Sequence, residues 1–440
     1  MSTQRYVNLD YAASTPMRPE AMQAQADYDA SRLAGVNPNS LHSLGRQAAI
    51  RLEECRRAVA ASLGTRVRAS EIVFTGGGTE ANVLALLGIA QAVRERDRGR
   101  SRVIVSAVEH DSILDNLPLL RADGFTVDVI KPDSTGRIDP SSLERLISSD
   151  VALVSVMLAN NETGVVQPIA DLARIAHGAG ARMHSDAIQG WLHIPFDVSA
   201  LGVDALSLAG HKVGGPVGIG ALYLKSRTPI RARSFGGGQE GGLRPGTQDL
   251  RAIVALAAAA NALRPLVAHH REQVGSLANG LYTRLCAHPR IHATMGDWTS
   301  VERLPGIVSI YVDGIDSEEL ILQLDGQRVL QREPRREPCP ARHGHSAREG
   351  AGVPADLLRR PGGARLARTV RTGAFRGGGR MNVGELERAL FEAFPARDAE
   401  PWDRVGLSVG DPDAEVAGVA CALDATVASL DEAVRRGANV

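Results

Sequence analysis

Two short stretches of this 440-residue chain decide its fold and carry its most informative residues. Residues 184–190 read HSDAIQG, and residues 208–216 read LAGHKVGGP. The pattern places Asp186 near the end of one apolar strand and Lys212 in a glycine-rich turn after the next strand. A lone Asp after a strand is more often a helix cap, and a lone His-Lys pair is more often simply exposed to solvent.

An acid and a lysine in this order suit the cofactor pyridoxal phosphate. Its aldehyde needs an amine for a Schiff base, which Lys212 would supply. Its ring nitrogen needs a carboxylate that keeps the pyridinium protonated, which Asp186 would supply. Residues 74–82, FTGGGTEAN, form a turn between a strand and a helix, where backbone N–H groups and the helix N-terminus favour a phosphate. Glycine-rich turns are common, so this one gains its weight from the lysine and the acid.

Composition and charge exclude several other classes of protein. The chain is 44% apolar and 23% charged, and its formal net charge of zero gives no reason to expect nucleic acid or a membrane as partner. No apolar run looks long enough to cross a bilayer, and the N-terminus has no signal-peptide core. The four cysteines form neither a paired framework nor a CxxC motif, so we expect a cytoplasmic protein without a metal site.

Alternating strand and helix patterns predict an α/β fold with a mostly parallel sheet and a second, smaller domain. We expect a large domain at 1–260, whose first 20 residues pack on the small domain, and a partial small domain at 261–327. The elements expected are strands at 103–106, 126–130, 151–156, 220–224 and 306–312, and helices at 48–63, 80–93, 252–285 (one or two helices) and 317–324.

The composition changes abruptly after about residue 327. Residues 331–380 hold 12 Arg, 9 Gly and 5 Pro but no Lys or Ile, so they offer too little apolar surface to form a core. We therefore expect residues 328–380 to be disordered. Our hypothesis is that this segment is an out-of-frame reading of a normal active-site segment, which the nucleotide sequence would test.

Several ordered motifs resemble those of the cysteine desulfurases in the class V aminotransferase family. The motifs are LDYAASTP at 9–16, NPNSLH at 37–42, EHDS at 109–112, NNETGVV at 160–166, GGGQE at 236–240 and LRPGT at 243–247. The resemblance extends to about residue 324. It implies a fold type I pyridoxal phosphate-dependent transferase that converts L-cysteine to L-alanine and leaves the sulfur as a persulfide on an enzyme cysteine. It also implies a homodimer that serves a sulfur acceptor or an iron–sulfur scaffold protein.

The resemblance also implies roles for individual residues. Lys212 would hold the cofactor and later move the Cα proton of the substrate, while Asp186 pairs with the pyridinium nitrogen. His110 would stack on the ring and act on the substrate thiol, although an isolated His in such a loop is more often structural. The other implied contacts are Asn161 and Gln189 with the phenolic oxygen and ring, Gly78, Thr79 and His211 with the phosphate, Thr247 with the phosphate of the partner subunit, and Asn37 with the substrate carboxylate.

The chain departs from the family pattern in three ways. Ala209 replaces the usual Ser, so one hydrogen bond to the phosphate, worth about 1–2 kcal/mol, would be lost. The motifs of the nucleophilic cysteine loop and of the arginine that binds the substrate carboxylate are absent from residues 328–380, where they should lie. Cys339 falls near the expected position, but Pro338 and Pro340 restrict its backbone, so it is a weak candidate for the nucleophile.

The tail, residues 381–440, resembles the N-terminus of a second family. The motifs MNVGEL at 381–386 and PWDRVGL at 401–407 are similar to those of hexameric, dinuclear-metal proteins that are GTP cyclohydrolase type 2-like. The metal-binding His-His motif of that family would follow residue 440, so we expect the tail to bind no metal. We interpret the tail as the start of a neighbouring gene joined by the frameshift; a true fusion is the alternative.

Three functions stay open on the sequence. The first is a pyridoxal phosphate-dependent cysteine desulfurase, impaired by loss of its cysteine loop. The second is the same scaffold with chemistry that needs no enzyme thiol, such as transamination, selenocysteine lysis or decarboxylation. The third is a cofactor-binding scaffold without activity.

Overall fold

The computed structural model describes residues 7–315, residues 317, 320 and 321, and the backbone of three short strands at 329–330, 368–370 and 419–421. By its contacts the chain divides into two units, Met1–Arg342 and His343–Val440. The domain limits expected at 260, 327 and 380 stay predictions. Cys339 and most of the segment expected to be disordered lie outside the described residues, as does nearly all of the tail.

The secondary structure of the described residues alternates between helices and strands over most of the first unit. The helices are α1 Pro19–Ala30, α2 Ser43–Ala61, α3 Gly78–Arg96, α4 Asp111–Leu114, α5 Leu117–Ala122, α6 Pro140–Leu146, α7 Ile169–Gly178, α8 Val198–Leu201, α9 Leu250–Leu263 and α10 Val267–Leu285. The strands are β1 Val7–Asn8, β2 Ile72–Thr75, β3 Arg102–Ser106, β4 Thr126–Ile130, β5 Val151–Ser155, β6 Arg182–Asp186, β7 Ala205–Ala209, β8 Gly220–Leu224, β9 Ile291–Ala293, β10 Ile310–Val312, β11 Val329–Leu330, β12 Arg368–Val370 and β13 Val419–Cys421.

A seven-stranded sheet with the order β2-β8-β7-β6-β5-β3-β4 forms the centre of the first unit. Neighbours from β7 to β4 are parallel, whereas β8 runs antiparallel to both β7 and β2. Both faces are covered, since Ile72 and Phe74 join one apolar cluster and Val73 joins the other. β5 and β7 are buried along their whole length, as expected for strands of a covered parallel sheet. The predicted α/β class with a mostly parallel sheet is confirmed.

This topology brings the loops that carry the sequence motifs to one edge of the sheet. β2, β3, β5, β6 and β7 point the same way, so the segments that follow them leave from the same edge. The glycine-rich turn follows β2, the EHDS motif follows β3, and the NNETGVV motif follows β5. Asp186 ends β6, and a 3₁₀ turn, Gly210–Lys212, begins directly after β7. Ligands of open α/β sheets bind at this carboxyl edge.

The smaller elements agree with the sequence less closely. The strand predicted at 306–312 is wrong in extent, because β10 begins only at Ile310. Its antiparallel partner β9 has three residues, and the ladder extends no further than that partner. Four other strands of two or three residues form two small pairs, β1 with β11 and β12 with β13. Residues 317, 320 and 321 are helical, in keeping with the helix predicted at 317–324.

The apolar stretch predicted at 252–285 forms two helices, α9 and α10, separated by a 3₁₀ turn that contains Pro265. Contrary to the expectation from sequence, Leu250–Leu285 is long and apolar enough to cross a membrane by length and composition alone. However, 61% of its most apolar window is buried inside the protein. Such burial is typical of a core helix, and α9 indeed packs against α1 and α2.

A buried ion pair fixes the loop at 236–247 to the sheet. The guanidinium of Arg56 on α2 binds both carboxylate oxygens of Glu240, with N–O distances of 2.6 and 2.9 Å. The side chains are only 8% and 1% exposed. The same carboxylate accepts the backbone N–H of Phe74 at 2.8 Å, which ties the loop to β2 just before the glycine-rich turn. Because both charges are buried, removal of Glu240 would leave Arg56 only its ion pair with the half-exposed Glu53, at 2.9 Å.

We expect Glu240→Ala to lower the free energy of unfolding by about 3 kcal/mol, because Arg56 would lose its buried partner and keep only its ion pair with the half-exposed Glu53. Urea unfolding of the full chain, followed by circular dichroism, measures this loss. The matched control is Asp29→Ala, which breaks an exposed pair with Arg251 whose side chains are 50% and 48% exposed. Asp29→Ala should lower the free energy of unfolding by less than about 1 kcal/mol. Equal losses in the two variants would show that the buried pair does not stabilise the fold.

Candidate active site

Three of the side chains expected to hold the cofactor lie together at the carboxyl edge. Asp186 ends β6, His110 follows β3 as the N-cap of α4, and Lys212 ends the turn after β7. Burial raises the pKa of Asp186, and the charges of His110 and Lys212 are among the effects that counter this rise. Both groups therefore act on the same carboxyl. Folding brings residues 76 and 26 positions away in sequence into one electrostatic environment.

The Asp186 carboxyl is 3% exposed and receives two hydrogen bonds. The Asn82 amide donates to one oxygen at 2.6 Å, and the Ile188 N–H donates to the other at 2.8 Å. Charge-assisted bonds of this kind favour the ionised form, but burial opposes it. A protonated ring nitrogen beside Asp186 would supply the counter-charge that a buried carboxylate needs. This end of the site therefore fits the pyridine ring of pyridoxal phosphate.

The Lys212 amine lies against the N-terminal segment. It donates to the backbone carbonyls of Ala12 and Ala13, the latter at 2.8 Å. The segment is fixed to the lysine turn by Thr15, whose N–H and hydroxyl both donate to the His211 carbonyl at 2.9 Å. From the other side, His193 Nε2 lies 2.9 Å from the Lys212 carbonyl. The backbone that carries the amine is thus held on two sides, which positions the amine at the edge of the sheet.

A cavity of about 570 Å³ opens at the N-terminus of α3, beside the glycine-rich turn. Residues 76–79 line it together with His211, Arg233 and Arg244. Gly77 has φ +148°, a conformation that side chains disfavour, and a Cβ on Gly78 would collide with the Ile188 side chain. Glycine amides, the N-terminus of a 19-residue helix and the Arg233 guanidinium complement a phosphate, whereas Arg244 is paired with Glu80 at 3.2 Å. This end of the site therefore fits the phosphate of pyridoxal phosphate.

The remaining ring contacts expected from sequence also lie near the lysine and the histidine. The Gln189 amide donates to the Ala12 carbonyl at 3.0 Å, the same oxygen that accepts from Lys212. Asn161 lies in the turn after β5. Its neighbour Asn160 donates to the Val108 carbonyl at 3.0 Å, which joins this turn to the loop that carries His110.

Thr247 and Asn37 lie in exposed loops, and no described hydrogen bond joins either of them to Lys212. The two loops contact each other, since the Asn39 amide donates to the Gln248 side-chain oxygen at 3.0 Å. Asn39 also donates to Asn37 at 3.1 Å. The structure thus groups Asn37 with Thr247 rather than with the ring-binding residues. The roles implied for them stay predictions.

Sequence reasoning missed four residues of the site. Asn82 and Glu109 are fully or almost fully buried beside Asp186 and His110, and Arg233 and Arg244 line the phosphate cavity. Asn82, Glu109 and Arg244 stand within the recognised motifs, which was the available signal. Their roles depend on contacts between loops that are distant in sequence. Arg233 lies outside every motif, and nothing in the sequence indicated it.

Ala209, which replaces the serine usual in the family, is 1% exposed and ends β7. An added Cβ on Gly78 would lie 3.3 Å from the Ala209 methyl group. Position 209 therefore faces the glycine-rich turn, where a hydroxyl group would add a hydrogen-bond donor.

Glu109, next to His110, is a buried acid in the loop after β3. It is 1% exposed, and one of its oxygens accepts from the Ser106 hydroxyl and from the Met157 N–H, the latter at 2.7 Å. Burial raises the pKa of Glu109 to about 8, and the negative charge of Asp186 adds to the rise. The acid is therefore neutral near pH 7. Its two hydrogen bonds join the loop after β3 to the loop after β5.

The raised pKa of Glu109 predicts a stability that falls with rising pH. A carboxyl whose pKa is higher in the folded state stabilises the protein at low pH, and this stability is lost as the pH passes through about 8. We expect the thermal midpoint of the full chain to fall as the pH rises from about 4.5 to about 8, and Glu109→Gln to flatten this slope because its amide stays neutral. Glu95→Gln, a change at an exposed glutamate on α3, should keep the wild-type slope. An unchanged slope in Glu109→Gln would contradict the assignment.

Comparisons with known proteins agree with this geometry. The model of the aminotransferase class-V family matches residues 7–333, and the model of the Duf34/NIF3 (NGG1p interacting factor 3) family matches residues 381–440. The second match confirms the resemblance stated for the tail. Cysteine desulfurase IscS of Dictyoglomus turgidum is 34% identical over 325 residues, which cover 74% of this chain and 80% of that protein.

Solved structures show the same relationship. A NifS-like protein superposes with a TM-score of 0.68 at 31% identity, covering 74% of this chain and 87% of its own. SspA in complex with cysteine superposes with a TM-score of 0.60 at 28% identity, covering 73% and 88%. Members of this group depend on pyridoxal phosphate, the cofactor that the carboxyl edge accommodates. The chain belongs to the pyridoxal phosphate-dependent class V aminotransferase family, among the cysteine desulfurases of the IscS and NifS type.

Proposed function

We propose that this chain binds pyridoxal phosphate and acts on L-cysteine as a desulfurase, and that its sulfur-accepting step is impaired. The observation that carries the proposal is the convergence of Lys212, Asp186 and His110 at the carboxyl edge, beside a cavity suited to phosphate. The desulfurase names of the relatives and the cysteine bound by SspA support the choice of substrate. Other family members with different substrates would share the ring and phosphate contacts.

The reaction requires that the C–S bond of cysteine breaks and that an enzyme thiol takes up the sulfur. The products are alanine and a persulfide, so one cysteine and one thiol are consumed without an external oxidant. The bound cofactor supplies an electron sink for the negative charge that develops at Cα. Asp186 keeps the ring nitrogen protonated, Lys212 moves the Cα proton, and His110 moves the proton of the substrate thiol.

Neither cysteine in the described part of the chain suits the sulfur-accepting step. Cys55 is 3% exposed on α2, and burial raises its pKa to about 11, which disfavours the reactive thiolate. Cys286 packs at the end of α10, in the cluster formed by Tyr282 and Met295. Cys339 lies outside the described residues, in a sequence that lacks the family's cysteine motif. We infer the impairment from the settings of these three cysteines taken together.

The setting that we propose is a cytoplasmic homodimer in which Thr247 reaches the cofactor phosphate of the partner subunit. Thr247 is exposed at the end of the loop anchored by Glu240, which is compatible with contact to a second chain. A sulfur acceptor or an iron–sulfur scaffold protein would receive the sulfur. A reaction that needs no enzyme thiol is the second candidate, and it is favoured by the lack of a suitable cysteine among the residues that the structure describes.

The lysine content of the chain permits a direct test of cofactor attachment. The chain has three lysines, Lys131, Lys212 and Lys225. We expect borohydride reduction of the cofactor-loaded chain to attach the cofactor to Lys212 alone, since this amine lies within the site. Peptide mass spectrometry identifies the position, and Lys212→Ala should abolish the attachment. Lys225→Ala, a change at an exposed lysine, should retain it. Attachment elsewhere, or none, would refute the proposed cofactor site.

Turnover of L-cysteine tests the impairment. We expect the full chain to form alanine slowly and at the same rate as Cys339→Ser, because Cys339 does not act as the nucleophile. Lys212→Ala, which lacks the amine that moves the Cα proton, should form none. Alanine is measured by chromatography, and a mass gain of one sulfur atom on the chain reports the persulfide. A persulfide on Cys339, together with a rate lost in Cys339→Ser, would overturn the proposed impairment.

A further inference from the structure

A continuous chain of hydrogen bonds joins Asp186 to His110 through two buried side chains. The Asn82 amide nitrogen donates to the Asp186 carboxylate at 2.6 Å and to the Ser112 hydroxyl oxygen at 2.8 Å. The Ser112 hydroxyl oxygen lies 2.9 Å from His110 Nδ1. Asn82 is completely buried, and Ser112 is 6% exposed. The bridge therefore lies inside the protein, where solvent does not compete for these bonds.

The direction of each bond in this chain follows from its donors and acceptors. The Asp186 carboxylate accepts, so the amide nitrogen of Asn82, not its oxygen, must face it. The two amide hydrogens are then both used, one toward Asp186 and one toward Ser112. Because Ser112 accepts from Asn82, its own hydroxyl hydrogen is left to be donated to His110 Nδ1. The backbone N–H of Ser112 also points at Nδ1, at 3.0 Å.

Two donors at Nδ1 decide where the histidine carries its proton. A ring nitrogen that accepts hydrogen bonds holds no hydrogen of its own, so the neutral imidazole of His110 must be protonated at Nε2. We propose that Asn82 is a positioning residue that links Asp186 to His110 and, through Ser112, fixes the proton of His110 on Nε2. This inference rests on the proposed function of these two residues, although the bond geometry itself does not depend on it.

The proposal explains why an amide is required at position 82. An aspartate there has the same shape but accepts at the position from which asparagine donates. The Ser112 hydroxyl would then turn toward residue 82 and offer its lone pairs to His110. Nδ1 would gain an acceptor in place of the hydroxyl donor and keep the backbone N–H of Ser112, so the tautomer with the proton on Nδ1 would become more populated than in the wild type.

The test is ¹⁵N-histidine NMR on the full-length, cofactor-free chain, at about pH 8.5, where an ordinary histidine is neutral. The chain has 12 histidines, so a His110→Gln spectrum identifies the His110 signals by difference. In the wild type we expect His110 as the Nε2–H tautomer. In Asn82→Asp we expect a measurable rise in the Nδ1–H population, limited by the Ser112 N–H that still donates to Nδ1.

A double-mutant cycle shows whether Ser112 carries the effect. In the Ser112→Ala background, Asn82→Asp should leave the His110 tautomer unchanged. The matched control is Asn116→Ala, which removes a 3.0 Å hydrogen bond from another asparagine to the backbone carbonyl of Ser112 and should not change the tautomer. If Asn82→Asp fails to fold, Ser112→Ala alone should still raise the Nδ1–H population relative to Asn116→Ala.

The proposal would be overturned by a wild-type His110 with its proton on Nδ1. It would also be overturned by an Asn82→Asp effect of equal size with and without Ser112. Because the measurement uses neither cofactor nor substrate, these outcomes leave the proposed function untouched. Conversely, failure of borohydride to label Lys212 would refute the proposed function and leave the tautomer result standing.

Discussion

The burial of one carboxylate, that of Asp186, organises the candidate active site. A charge removed from water needs hydrogen-bond donors and counter-charges from the protein, and here they come from different segments of the chain. Asn82 comes from α3, the Ile188 N–H comes from the loop after β6, and His110 and Lys212 follow β3 and β7. Each donor can reach the carboxylate only if its strand lies in register in the parallel sheet. Stabilisation of this one buried carboxylate thus depends on the packing of the whole sheet.

Long-range contacts of the backbone complete the site. The Ala12 carbonyl accepts from Lys212, 200 residues later in sequence, and from Gln189, so the N-terminal segment joins the lysine and the glutamine. At the edge strand β2, the buried ion pair of Arg56 and Glu240 and the bond from the Phe74 N–H to Glu240 hold the loop at 236–247 against the sheet. The loop that follows β2 is the one whose glycines form the phosphate cavity. The two ends of the cofactor site are therefore stabilised by separate interactions.

A desulfurase needs residues that bind the cofactor and a cysteine that accepts the sulfur, and this chain differs in how well it supplies the two. Apart from the serine replaced by Ala209, the residues expected to contact the ring and the phosphate lie among the described residues. Of the two cysteines there, Cys55 is buried in the core and Cys286 is partly buried at the end of α10, which supports the impairment that we propose. In our proposal, cofactor binding depends on the sheet, whereas sulfur transfer depends on the segment at 328–380. The match of residues 381–440 to a different family shows how far the chain departs from its relatives beyond that segment.

The sequence by itself determined the α/β class, the cofactor and the family, because strand periodicity and short motifs are local properties of the chain. Most predicted strands match the observed ones within a residue or two, whereas the strand at 306–312 was too long, since strand length depends on the partner strand. The sequence named Asp186, Lys212 and His110, but not the amide that joins Asp186 to His110. Only the tertiary structure decided that Asn82 faces both Asp186 and Ser112, that Glu109 is a buried neutral acid, and that Arg233 lines the phosphate cavity. Those properties arise from packing between distant segments, because burial shifts the pKa of each acid and packing decides which donors and acceptors meet.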